Sequence, residues 1–193
     1  MKQDRITDLY EGNWGSFEGQ RLARERIHWI CAQAEGPGVL DIGCSQGIAS
    51  ILLAREGKRV IGVDIQAASI EFAEERRSGE EQLVRDRLRF AVAEAGDLPF
   101  GDASFDTVLL GEVLEHLIDF GAALTEARRV LRPGGQLVIT SPYGISRSLD
   151  HKEPLYLTPL LELLASGSAG SEPNAHCGSQ LGSGKVADAT LRP

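Results

Sequence analysis

The stretch Val39-Leu40-Asp41-Ile42-Gly43-Cys44-Ser45-Gln46-Gly47 constrains this chain more than any other. A short apolar strand runs into a loop with two glycines, and the loop opens onto an apolar helix from Ile48 to Ala54. Glycines at a strand-to-helix turn let backbone approach a ligand closely. A dinucleotide pyrophosphate on such a helix N-terminus calls for G-x-G-x-x-G, which this loop lacks. Asp41 stands at the strand end instead. A carboxylate there repels a pyrophosphate and favours a ligand with positive charge.

The pattern then alternates. Val60 to Asp64 reads as a second buried strand ending in an acid, and helix two follows over Ala67 to Arg77. Leu88 to Ala93 is strand three, Phe105 to Leu110 strand four, and Gln136 to Ser141 strand five, with a helix over Phe120 to Leu131. Strands separated by helical patterns imply right-handed crossovers and a parallel sheet. Strands one, two and four are continuous apolar runs, as strands covered on both faces should be. The fold class is therefore α/β, a Rossmann-like, doubly wound, mostly parallel sheet. Asp64 lies about twenty residues beyond the glycine loop, the usual place for a carboxylate that accepts both ribose hydroxyls.

Three later motifs fall in order behind that loop. They are Leu98-Pro99-Phe100-Gly101-Asp102-Ala103-Ser104-Phe105-Asp106, Glu112-Val113-Leu114-Glu115-His116 and Arg129-Val130-Leu131-Arg132-Pro133-Gly134-Gly135. With them the chain resembles the class I S-adenosylmethionine-dependent methyltransferases, over roughly residues 36 to 165. The family loop is usually D-x-G-x-G-x-G, and here Ser45 replaces the middle glycine; serine is small and tolerates turn conformations. The resemblance implies S-adenosylmethionine as cofactor. Asp41 would face its ammonium, Gly43, Ser45 and Gly47 would admit the amino acid part and the ribose, and Asp64 would hold the ribose hydroxyls. Ile65 would pack on the adenine, Glu94 would take the adenine amino group and the Ala95 backbone the ring edge. The family's acid at Glu94 is usually the shorter aspartate. Gly111 and Glu112 would line the methionine end. Asp102 and Asp106 read as turn and cap residues, and Pro133-Gly134-Gly135 as a tight turn.

Glu112, Glu115 and His116 lie three and four apart, a spacing that on a short helix shares one face. With His151 beyond strand five they form two carboxylates and two imidazoles, a set that can bind a divalent metal. The small-RNA 2'-O-methyltransferases resemble this arrangement, so metal-assisted RNA methylation is one alternative. Without a metal, His116, His151 or Glu112 is the candidate catalytic group, since a histidine base suits a hydroxyl acceptor near neutral pH.

The 193 residues are 42% hydrophobic and 25% charged with a formal net charge of -8. That charge argues against a nucleic-acid surface built on phosphate contacts. No apolar run is long enough to cross a bilayer, and residues 1 to 10 show no secretory signal. Cys31, Cys44 and Cys177 form neither a disulfide framework nor a C-x-x-C metal signature, which fits a reducing cytoplasm. Residues 1 to 19 read as an irregular arm anchored by Tyr10, Trp14 and Phe17, and Gln20 to Glu35 as an amphipathic cap helix. Thr158-Pro159 starts a further helix. From Ser166 to Pro193 the chain is a low-complexity tail with few large apolar residues. No strand is evident there, so the sheet lacks the family's usual last two strands, and strand five becomes an exposed edge open to self-association. The resemblance leads to the expectation of a methyltransferase for a small-molecule or sugar-containing acceptor, at oxygen. A non-catalytic cofactor-binding protein is the other alternative. Acceptor choice lies in the arm and loops, with Tyr10, Trp14, Tyr143 and His151 as candidates.

Overall fold

The structure is a computed structural model that describes residues 5–142 with their side chains to residue 141, and residues 186–191 as backbone. His151, Tyr143 and the helix start at Thr158 lie outside the described residues. Five strands run parallel, β1 (Gly38–Ile42), β2 (Arg59–Asp64), β3 (Leu88–Val92), β4 (Phe105–Gly111) and β5 (Leu131–Pro142), and β6 (Val186–Leu191) is antiparallel. The sheet order is β3-β2-β1-β4-β5-β6. From β1 the chain winds outward to β2 and β3, then returns to β4 and β5. The winding reverses between β1 and β4, and a crevice outside the carboxyl ends of the strands opens at such a reversal.

β6 corrects the reading of the tail. Its backbone pairs with β5 from Leu137↔Leu191 to Pro142↔Val186. Val186-Ala187-Asp188-Ala189-Thr190-Leu191 has too little apolar bulk to signal a strand by composition, and a backbone ladder on an open edge does not require it. One antiparallel strand is thus present, β5 is not an edge, and the reason for expecting self-association there falls away.

Helices α2 (Phe17–Gln33) and α3 (Ile48–Arg55) cover one face, where Ile27, Ile30, Ile48, Ile51 and Leu53 pack on Val39 and Leu109. On the other face α6 (Phe120–Val130) sets Leu124, Ala127 and Val130 against Leu40, Val108 and Ile139. Side chains buried on both faces explain the unbroken apolar runs of β1 and β4. The caps are local: Ser16 Oγ accepts from Gly19 N at 3.1 Å and Asp119 Oδ1 from Ala122 N at 3.1 Å. α4 (Ala67–Ser78) and α5 (Gln82–Arg87) flank β2 and β3.

The arm differs from expectation by folding a helix, α1 (Ile6–Glu11), ended by Gly12 in the left-handed region at φ 86°. Tyr10 stacks on His28 of α2 at 5.7 Å between ring centroids and shares a 2.8 Å hydrogen bond with it. Glu11 pairs with Arg76 of α4. Such ties to neighbouring elements hold a helix too brief to persist alone.

The two motifs around β4 knit the sheet. Asp106 accepts from Gly38 N at 2.7 Å and from Arg132 at 2.6 Å. Arg129 donates to the carbonyls of Phe100 and Leu98 and pairs with Glu126 and Asp102. No helix of the described residues is long and apolar enough to cross a membrane.

Candidate functional site

The carboxyl ends of β1, β2 and β4 bring most of the expected residues to one rim. Gly43, Ser45 and Gly47 all have positive φ, at 70°, 48° and 79°. The loop therefore coils through left-handed backbone, and Ser45 adopts it at the position where the family places glycine. Gly43 and Cys44 both donate to Val63 O, at 2.8 and 2.9 Å, which ties the loop to the end of β2. The loop also faces the segment after β4: a Cβ on Gly43 would overlap Val113 Cγ2. On Gly47 a Cβ would come 2.5 Å from the Phe90 ring. Both glycines are required by space as well as by φ.

Asp64 is the hinge of this rim. Its Oδ2 accepts from Ser45 N at 2.9 Å and its Oδ1 from Gln66 N at 2.8 Å. A carboxylate has further lone pairs, so both oxygens can still accept from ligand hydroxyls. Beside it Ile65 is 66% exposed, and so is Val92 at 54%, the register partner of Asp64 on β3. Two bare aliphatic side chains at adjoining strand ends form an apolar shelf fit for a flat ring. Glu94 is exposed, and its turn is closed by Asp97 N donating to Glu94 O at 3.1 Å. Ala95 is half-buried against the core.

Asp41 is buried and accepts from Ser50 Oγ at 2.6 Å. Burial pushes its carboxyl up to about 6 against the pull of that hydrogen bond. Ser50 is a partner that the sequence reading passed over; its place on the inner turn of α3 was the available signal. Two buried hydroxyls, Ser45 Oγ and Thr7 Oγ1, take no hydrogen bond. Thr7 N donates to Gln46 Oε1 at 3.2 Å, so α1 touches the glycine loop directly.

The acidic segment after β4 is not the expected helix face. Only Leu114–His116 is helical, a single 3₁₀ turn, and Glu112 precedes it with φ 58°. Glu115 turns inward, 3% exposed, and accepts from Ser141 Oγ at 3.1 Å, whereas His116 is exposed. The three side chains therefore do not converge as a regular helix would make them. Among the described residues no group of three or more His, Cys, Asp or Glu is placed to hold a metal. Glu112 pairs instead with Arg26 of α2, at 3.4 Å, an arginine on the shoulder of the apolar stripe that the sequence reading did not single out.

Burial, reinforced by Glu112, pushes Glu115 up to about 7. Asp41 and Glu115 both hold their protons more tightly folded than unfolded. Stability from these protons is complete below about pH 4 and is lost as pH rises through 6 to 7. Acids held low by arginines, such as Glu126 and Glu80, change stability only at lower pH. The ligand-free chain should thus lose stability between pH 5 and 8. Glu115→Gln should flatten that slope and exceed the wild type at pH 8 by about 2 kcal/mol, in urea denaturation at both pH values. An unaltered slope would place the Glu115 titration outside this window.

Residues 40–139 match the model of a family described as a methyltransferase domain. An O-methyltransferase, cnsE, of Penicillium expansum is 38% identical over 122 residues, 63% of this chain and 43% of that protein. A demethylmenaquinone methyltransferase of Clavibacter sepedonicus is 32% identical over 176 residues, 88% of this chain and 70% of that protein. The crystal structure of a SAM dependent methyltransferase from Aquifex aeolicus superposes with a TM-score of 0.69 at 18% identity, covering 97% of this chain and 98% of that one. At that identity the likeness is one of fold. The chain spans about half the length of the first curated relatives it matches, 43% and 54%.

Proposed function

The chain belongs to the S-adenosylmethionine-dependent methyltransferases that share this domain, and we propose that it methylates a small-molecule or sugar-containing acceptor at oxygen. The observation that carries the reading is Asp64, held by Ser45 N and Gln66 N beside a left-handed glycine loop. Carboxylate, loop and the apolar shelf of Ile65 and Val92 stand in the order of ribose, amino acid and adenine. The buried, unpartnered Ser45 Oγ fits a polar guest close to the loop backbone.

In this reading Asp64 holds the ribose hydroxyls, Ile65 packs on the adenine, and Glu94 with the Ala95 backbone takes its polar edge. Asp41 supplies countercharge to the ammonium across the loop, and Gly111 lines the methionine end. Bound S-adenosylmethionine supplies an electrophilic methyl group on a sulfonium. The protein's share is to align the acceptor and exclude water, which can supply much of the rate. Glu112 or His116 would receive the acceptor's hydrogen bond, together with His151 outside the described residues. Support for oxygen comes from a relative that is an O-methyltransferase.

Calorimetric titration with S-adenosylhomocysteine, with NAD as control, tests the reading. Micromolar binding of the first and none of the second is expected. No binding by a chain shown to be folded would overturn it.

A further inference from the structure

Glu112 is the one described non-glycine residue at a strand's carboxyl end, outside the glycine loop, with left-handed backbone. For a residue with a Cβ this conformation is strained and persists only where its surroundings fix it. Two contacts do so. Glu112 N donates to Thr140 O at 2.8 Å, and Arg26 reaches from α2 to Glu112 Oε2 at 3.4 Å. The other oxygen, Oε1, is buried and takes no hydrogen bond. Thr140 Oγ1 is likewise buried and unpartnered, and it lies on the same side of the sheet, 3.9 Å from where a Gly111 Cβ would stand. A buried acceptor without a donor is unfavourable, so this corner favours a guest that brings hydrogens.

The corner's place in the sheet says which part of the guest. If the cofactor's adenine and ribose lie at β3 and β2, as under "Proposed function", the far end of the crevice is at β4. Glu112 is the first residue beyond β4.

We propose that Arg26 is a positioning residue of the methyl-transfer site. It holds Glu112 in its left-handed backbone with Oε1 turned to the point of transfer, where that oxygen accepts a hydrogen bond from an O–H or N–H at the acceptor's reacting atom. Acceptors lacking such a hydrogen, thioethers and carbanions among them, are disfavoured. The inference rests on the cofactor reading above.

The test needs no acceptor. Sinefungin carries a primary ammonium near the position of the transferred methyl group, and S-adenosylhomocysteine carries nothing there. The ratio of their calorimetric dissociation constants therefore reports what faces the transfer point. The wild type should prefer sinefungin. Glu112→Gln should reduce that preference about tenfold, as expected for losing a charged hydrogen bond. Arg26→Gln should reduce it several-fold, and Arg26→Lys should restore most of it. An arginine that merely shields the carboxylate predicts the opposite sign, since removing it would raise the preference for a cation. A rise in Arg26→Gln, or an unmoved ratio in either glutamine variant, overturns the proposal while leaving the cofactor site intact. Failure of the folded wild type to bind S-adenosylhomocysteine overturns the cofactor reading and this inference with it.

Discussion

Gly43→Ala should cost about 3 kcal/mol of unfolding free energy and abolish S-adenosylhomocysteine binding at concentrations that saturate the wild type. Two causes add. The left-handed φ of 70° costs a Cβ-bearing residue about 1 kcal/mol, and the new methyl group overlaps Val113 Cγ2. The backbone cannot rotate away easily, because Gly43 N and Cys44 N both donate to Val63 O. Val113 cannot swing out freely either, being 8% exposed in the packed core. The causes separate in a double-mutant cycle. Val113→Ala alone leaves a small cavity, yet in the Gly43→Ala background it should return about 1–2 kcal/mol by removing the overlap. Gly134→Ala is the control, with a similar φ of 74° and nothing within 4 Å of its Cβ, so it should cost only the backbone share. Strict additivity of Gly43→Ala and Val113→Ala would mean that the loop relaxes around the methyl group.

That coupling between the loops after β1 and β4 was invisible in the sequence, although both segments were legible. Asp41 to Gly47 and Glu112 to His116 announce themselves by residue type, and their placement at strand ends follows from the alternating pattern. The parallel strands were readable chiefly because β1, β2 and β4 are apolar runs closed by a glycine or an acid. What the pattern could not carry was side-chain direction after a strand ends. The spacing of Glu112, Glu115 and His116 presumed a helix, and a single left-handed residue at Glu112 breaks that presumption. Glu115 then goes inward to Ser141 and His116 outward, a split that no periodicity encodes. Long-range partners were equally hidden. Nothing in the order of residues links Arg26 to Glu112 or Thr7 to Gln46. β6 escaped for a different reason, since a strand held by backbone pairing leaves little trace in side-chain hydrophobicity.

Asp64→Ala should weaken S-adenosylhomocysteine binding by at least tenfold, from the loss of hydrogen bonds to a charged group worth roughly 1.5–3 kcal/mol. The structure gives this substitution a second consequence. Asp64 already accepts from Ser45 N and Gln66 N, so alanine strips an acceptor from two backbone amides, that of the buried Ser45 among them. The chain should lose about 1–2 kcal/mol of stability as well, and the glycine loop its tether to β2. A weaker ligand could then reflect a loosened loop and not a missing contact. The ligand can tell these apart. A 2',3'-dideoxy analogue of S-adenosylhomocysteine lacks the hydroxyls that Asp64 would hold. In the wild type the analogue should bind more than tenfold worse than the parent. In Asp64→Ala the two ligands should bind about equally, because the partner of those hydroxyls is gone. Should the analogue lose as much affinity in the variant as in the wild type, Asp64 acts through the loop alone and the ribose is held elsewhere. Asp64→Asn sharpens the result. It keeps one carbonyl oxygen for one of the two amides but sets an NH2 group against the other, so it should restore part of the stability and little of the discrimination between the ligands.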